Sequence, residues 1–129
     1  MRQHRELFEM VRTRTSMFLM EDTYAAVAAF VLGYDLACEG GVCEGFREWL
    51  VVRVGRGPNL SWAGLALEAA FPSSTNPQEA VLASRETQRH AVDVLFGLLA
   101  EYDEVRAKPD GLKEVFAAYD RFLRRHHIS

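Results

Sequence analysis

The chain has no apolar run near the ~20 residues that cross a bilayer. Its opening, MRQHRELFEM, scatters charges where a signal peptide keeps an apolar core. A cytoplasmic location follows as the default expectation. Cysteine is scarce, with only Cys38 and Cys43, five apart around Glu39-Gly40-Gly41-Val42. A zinc site wants more ligands at tighter spacing, and a reducing compartment disfavours a disulfide. Both are therefore read as free thiols packing as small hydrophobes. The Glu-x-x-His motif of carboxylate-type metal bundles does not occur, and no nucleophile stands at a recognisable spacing from a base. Gly55-x-Gly57 follows no convincing strand and opens no phosphate-binding helix, so it reads as a turn. No catalytic residue, cofactor or metal is expected. Net basic charge is also missing: the formal charge is −3 with a pI near 5.8, which argues against a nucleic-acid binder. Internal repeats and low-complexity tracts are absent too.

What is present is the material of an ordinary globular domain. The chain has 129 residues, 49% hydrophobic and 26% charged, enough for one core and too apolar for disorder. One domain over residues 1–129 is expected. Residues 3–13 read as a short helix with Leu7, Met10 and Val11 on its apolar edge, broken at Thr15-Ser16. A second helix starts after Asp22 or Thr23, either of which can cap it, and Gly40-Gly41 ends it. It is apolar on most sides, so it is expected to be the central, buried helix, packed with the plug Met17-Phe18-Leu19-Met20. A third helix spans 44–54 and a fourth 61–70, the latter capped by Ser61. Asn76-Pro77-Gln78-Glu79 is the clearest helix start, with an Asn cap and Pro at the first position. That helix is expected to run about 30 residues, to near Arg106. Pro109-Asp110-Gly111 turns the chain into a last helix over 112–126 with a Leu112, Val115, Phe116, Tyr119, Phe122, Leu123 stripe. About six helices and no strand make an all-α bundle.

Among polar residues, His126 and His127 follow Arg124-Arg125 and suit a helix C-terminus, while His90 lies at a polar–apolar boundary. Acidic residues recur on three helices: Asp35 and Glu39; Glu44 and Glu48; and Asp93, Glu101, Asp103 and Glu104. They form either a solvated face or a patch for a basic partner, which would speed association and set specificity. Trp49 and Trp62 sit at core-like positions, and a partly exposed one would be a binding anchor.

Two resemblances attach to these residues. Arg14-Thr15-Ser16-Met17-Phe18-Leu19-Met20 resembles a motif near the start of GHKL-type ATPase domains of DNA gyrase and its relatives, but the Pro and both Gly of that motif are missing. The Asp-x-Gly-x-Gly turn is missing as well, and the chain is too short for that fold, so the likeness is local. The second resemblance covers residues 7–104. Arg14, Met17-Phe18-Leu19, Phe30-Val31-Leu32-Gly33-Tyr34, Phe46-Arg47-Glu48-Trp49, Ser61-Trp62 and Phe96-Gly97-Leu98-Leu99-Ala100-Glu101-Tyr102 occur in the order seen in small bacterial immunity-like proteins found beside polymorphic toxins. The resemblance implies a protein that binds a cognate toxin domain and occludes its active site without chemistry of its own. The acidic residues above would then face a basic toxin such as a nuclease. Two other readings stay open. One is a small enzyme or ligand-binding protein with an inter-helix pocket at Arg14, Tyr34, Trp62 and His90. The other is a homodimer formed through an exposed stripe on the last helix.

Overall fold

The computed structural model describes residues 2–126; His127 lies outside them. Eight α-helices and no strand are found among the described residues, two more helices than the sequence pattern indicates. They are α1 (Arg2–Thr13), α2 (Thr15–Phe18), α3 (Tyr24–Ala37), α4 (Phe46–Val54), α5 (Trp62–Ala70), α6 (Pro77–Ala80), α7 (Arg85–Ala107) and α8 (Gly111–Arg125). None is long and apolar enough to cross a membrane.

Both extra helices begin beside a side-chain hydroxyl that bonds back to the backbone, and the break expected at Thr15-Ser16 falls instead at Arg14, with Thr15 and Ser16 opening α2. At the first, Thr15 is buried and its Oγ1 donates to Val11 O at 2.7 Å, while Arg89 Nη1 donates to Thr15 Oγ1 at 3.2 Å. Arg14 leaves the helical region at this joint, with φ −131° and ψ 46°, and a single further turn, α2, follows. The second interruption divides the expected 76–106 helix. Asn76 caps α6 as expected, its Oδ1 accepting from Glu79 N at 3.3 Å with Pro77 at the first position. A 3-10 turn, Val81–Ala83, follows, and Ser84 is fully extended at φ −162° and ψ 171°. Ser84 Oγ accepts from Thr87 N at 3.0 Å, and Thr87 Oγ1 accepts from Ser84 N at 2.9 Å. This reciprocal cap satisfies two amides that a continuous helix would have bonded within itself.

The centre of the bundle is α7, which packs against α1, α3, α4, α5 and α8. Ala91, Val92, Leu95, Phe96, Leu98, Leu99 and Tyr102 are all buried, so its two flanks serve two sides of the core. The expectation of a central α3 is corrected. Only Tyr24, Val27 and Val31 of its 14 residues are buried, and its main packing partner is α7. Its all-round apolar character reflects an uncovered outer side rather than burial on every side. The buried edge of α1 is also shifted from the expected Leu7-Met10-Val11: His4, Phe8 and Val11 point inward, continued by Thr15 of α2, and Met10 is exposed.

The expected caps at Thr23 and Ser61 are present, accepting from Ala26 N and Gly64 N at 3.2 Å each. Between α3 and α4 the chain folds into a turn region held by Asp35, whose Oδ1 accepts from Val42 N at 3.0 Å and from Cys43 N at 2.7 Å. Gly45 enters α4 at φ +80°, where a Cβ would run into the Tyr102 hydroxyl and the Leu112 side chain. A glycine is required there both for the left-handed backbone and for the close approach of α7 and α8.

Candidate functional site

The acidic residues picked out in the sequence do not form one free acidic face. Asp35 is half-buried and tied to the Val42 and Cys43 amides. Asp93 is bonded by Arg89 at 2.6 Å and Arg12 at 3.3 Å, and the Arg89 hydrogen bond, with help from Arg12, holds its carboxyl below the usual range. Glu101 pairs with Arg53, Asp103 with Arg5 at 2.6 Å, and Glu48 with Arg47 at 3.7 Å. Glu39, Glu44 and Glu104 are exposed and carry no ion pair among the described residues. Glu44 contributes only its carbonyl inward, where it accepts from the Tyr102 hydroxyl. Arginines of this same chain thus pair with four of the eight carboxylates expected to meet a basic partner, Glu48, Asp93, Glu101 and Asp103.

The largest departure from an ordinary surface is on α2 and α3. Met20 is 102% exposed, Met17 75% and Phe18 42%. Within α3, Leu36 is 68% and Leu32 47% exposed, and Ala25, Ala29 and Gly33 are exposed beside them. Positions 25, 29, 32, 33 and 36 recur at helical spacing, so they lie on one outward stripe along a helix about 21 Å long. No charge interrupts it. The only ionisable carboxylate in α3 is Asp35, which is turned to the Val42 and Cys43 amides. Isolated exposed apolar side chains are normal, whereas here several share one uncharged helix face. Exposed Glu39 follows directly after the C-terminal end of this stripe.

A second concave feature lies between α1 and α7. A slot of about 270 Å³ is lined by Phe8, Val42, Phe96, Leu99 and Ala100, with His4, Arg5, Glu9 and Asp103 at its rim. Phe8 and Phe96 meet with ring centroids 5.5 Å apart. His4 is buried, its Nε2 lying 3.5 Å from Asp103 Oδ1, and Arg5 Nε donates to Asp103 Oδ2. Nothing in the sequence pattern singled out His4. The available signal was its i, i+4 spacing to Phe8, hidden because histidine counts as polar in an apolar periodicity.

The residues suggested for an inter-helix pocket do not converge. Arg14 is exposed at the α1–α2 joint, and Tyr34 packs on Phe8 and Phe30. Trp62 leans on Phe46, and His90 Nε2 is 2.8 Å from Ala70 O with its ring against Phe71. Trp49 and Trp62 are both half-buried, Trp49 lying between Phe46, Tyr102 and the Arg53 guanidinium. On α8, Val115 and Phe122 are buried and only Phe116 of the expected stripe is strongly exposed, which removes the premise of a dimer formed there. His126 keeps its C-terminal place, its Nδ1 2.9 Å from Phe122 O. Cys38 is exposed and Cys43 buried, both free; burial, aided by the nearby Asp35 charge, pushes the Cys43 thiol up to about 12. Among the described residues no group of three or more His, Cys, Asp or Glu side chains gathers as a metal site. No family model, curated protein or solved structure matches the chain.

Proposed function

We propose that this chain is a protein-binding domain of the immunity type, which docks on a cognate toxin domain and neutralises it in the cytoplasm by covering its active site. The carrying observation is the uncharged, exposed outer face of α3, with Leu32 and Leu36 as anchors. An apolar centre bordered by charge is the usual anatomy of a protein interface. Here the border is acidic, at Glu39, and the chain as a whole is at −3, so the complementary partner is apolar at its contact centre and basic around it. The resemblance to immunity-like proteins over residues 7–104 supports the same reading.

In this reading the contact is carried by α3, and Asp93, Glu101 and Asp103 on α7 serve the chain's own ion pairs. The chain contributes steric occlusion and no bond-making chemistry. Co-expression with the toxin-like protein encoded by the adjacent gene tests the proposal. The two proteins are expected to co-purify, and growth is expected to recover when both are present. Absence of both binding and rescue would defeat the proposal.

A further inference from the structure

We propose that the slot between α1 and α7 binds a small apolar monocarboxylate, with its tail against Phe8, Phe96 and Leu99 and its carboxylate on the Nη groups of Arg5. The inference does not depend on the toxin-binding reading, since the slot residues are not those of the α3 face.

Size limits the ligand first. At about 270 Å³ the slot lies at or below the small end of ligand pockets, with room for one ring or a short aliphatic chain and few further atoms. The floor, Phe8, Val42, Phe96 and Leu99, is buried and wholly apolar, so the buried part of the ligand is apolar too. The rim then decides the charge. Asp103 Oδ2 already accepts from Arg5 Nε, and its Oδ1 lies 3.5 Å from His4 Nε2. Both oxygens of Glu9 are held by Arg12, through Nη2 and Nε. An ammonium ligand therefore meets at the rim only carboxylates that already have an arginine partner.

An anionic ligand meets open donors. Arg5 uses only Nε in its bond to Asp103, and its two Nη groups donate to no acceptor among the described residues. A guanidinium fork suits a planar carboxylate, and a charge-assisted pair of this kind is stronger than a neutral one. Asp103 also does part of the work in advance. It is itself only 17% exposed and holds Arg5 at the slot mouth, which reduces the ordering cost when a ligand arrives. The same chemistry is offered by a free small acid and by the C-terminal carboxylate of a peptide ending in an apolar residue.

The test titrates the full chain with phenylacetate, phenethylamine and 2-phenylethanol, following backbone amide shifts by NMR. Phenylacetate is expected to give saturable shifts centred on Phe96, Ala100 and Asp103, and the amine and alcohol to bind about tenfold more weakly or less. Arg5→Gln is expected to lose about tenfold in phenylacetate affinity with the rest of the spectrum retained. Ala100→Trp, on the exposed side of α7, fills the slot mouth without opening the core and is expected to abolish the shifts. A capped peptide ending in a free phenylalanine carboxylate separates the two sources. Tighter binding than phenylacetate assigns a peptide terminus, and weaker binding a free acid. Absence of saturable shifts at the slot, equal binding of the amine, or full affinity in both variants would overturn the proposal.

Discussion

Asp35→Ala separates a structural carboxylate from a contact carboxylate. In the native fold Asp35 Oδ1 accepts from Val42 N at 3.0 Å and from Cys43 N at 2.7 Å, in a region where Val42 and Cys43 are both buried. Truncation leaves two amides without an acceptor as the chain passes from α3 to α4. A hydrogen bond to a charged group contributes about 1.5–3 kcal/mol, and part of the second is recovered by water at the half-open site, so a loss of about 2–3 kcal/mol is expected. For a chain of this length that is a fall in Tm of about 7–11 °C. Asp35→Asn keeps one acceptor oxygen without its charge and is expected to lose about half as much. Thermal and urea unfolding followed by circular dichroism at 222 nm reads both values. A Tm within about 2 °C of the parent for Asp35→Ala would refute the reasoning. If that variant also lost partner binding, Asp35 would belong to the contact surface after all.

Other perturbations probe separate parts of the account. Ser84→Ala removes the reciprocal cap at the start of α7 and is expected to cost about 1 kcal/mol in urea unfolding, with an unchanged m-value. A thiol reagent at pH 8 is expected to titrate one cysteine, Cys38, in the folded chain and the second only in denaturant, because Cys43 is buried with its thiol pushed up to about 12. A thiol raised in the folded state ionises first in the unfolded one. Its contribution is therefore complete below the ordinary thiol value of 9.0 and is lost as pH rises towards about 12. The Asp93 carboxyl has the opposite sign: the Arg89 hydrogen bond lowers it from 3.8, so its contribution is present above that value and fades as pH falls through the folded value. Asp93→Asn is accordingly expected to flatten the stability profile below about pH 4 and to leave the Cys43 limb near pH 9–12 unchanged.

Helix type and most boundaries were legible because they rest on local chemistry. Thr23, Ser61 and Asn76 cap the helices they precede, and the apolar pattern from Ala91 to Tyr102 marks the buried flanks of α7. The misses arise where a polar side chain bonds back to the backbone or enters the core. Ser84 and Thr87 split a continuous-looking helix, and His4 and Thr15 complete a buried edge that an apolar count shifts to Met10. Which helix is central was illegible for another reason: periodicity reports where apolar groups lie, not whether another helix covers them. That is why α3 looked central and proves to be peripheral. The acidic set could be read as a list of residues, but its neutralisation could not. Arg5–Asp103, Arg53–Glu101 and Arg12–Asp93 join residues 98, 48 and 81 positions apart.

In the proposed complex α3 supplies the contact energy, and the exposed carboxylates near it only steer a basic partner. This division of roles is tested most directly by measuring partner binding and growth rescue for two variants in parallel. One is Leu32→Glu combined with Leu36→Glu, both at exposed positions where the fold tolerates a charge. The other is Glu39→Gln with Glu44→Gln and Glu104→Gln, which removes the unpaired members of the acidic set singled out in the sequence. The leucine variant is expected to keep the parent's Tm to within about 3 °C, to lose affinity about a hundredfold or more and to fail to rescue. The glutamine variant is predicted to change affinity by about tenfold at most and still to rescue. Full binding by the leucine variant, with binding lost in the glutamine variant, would contradict that division of roles.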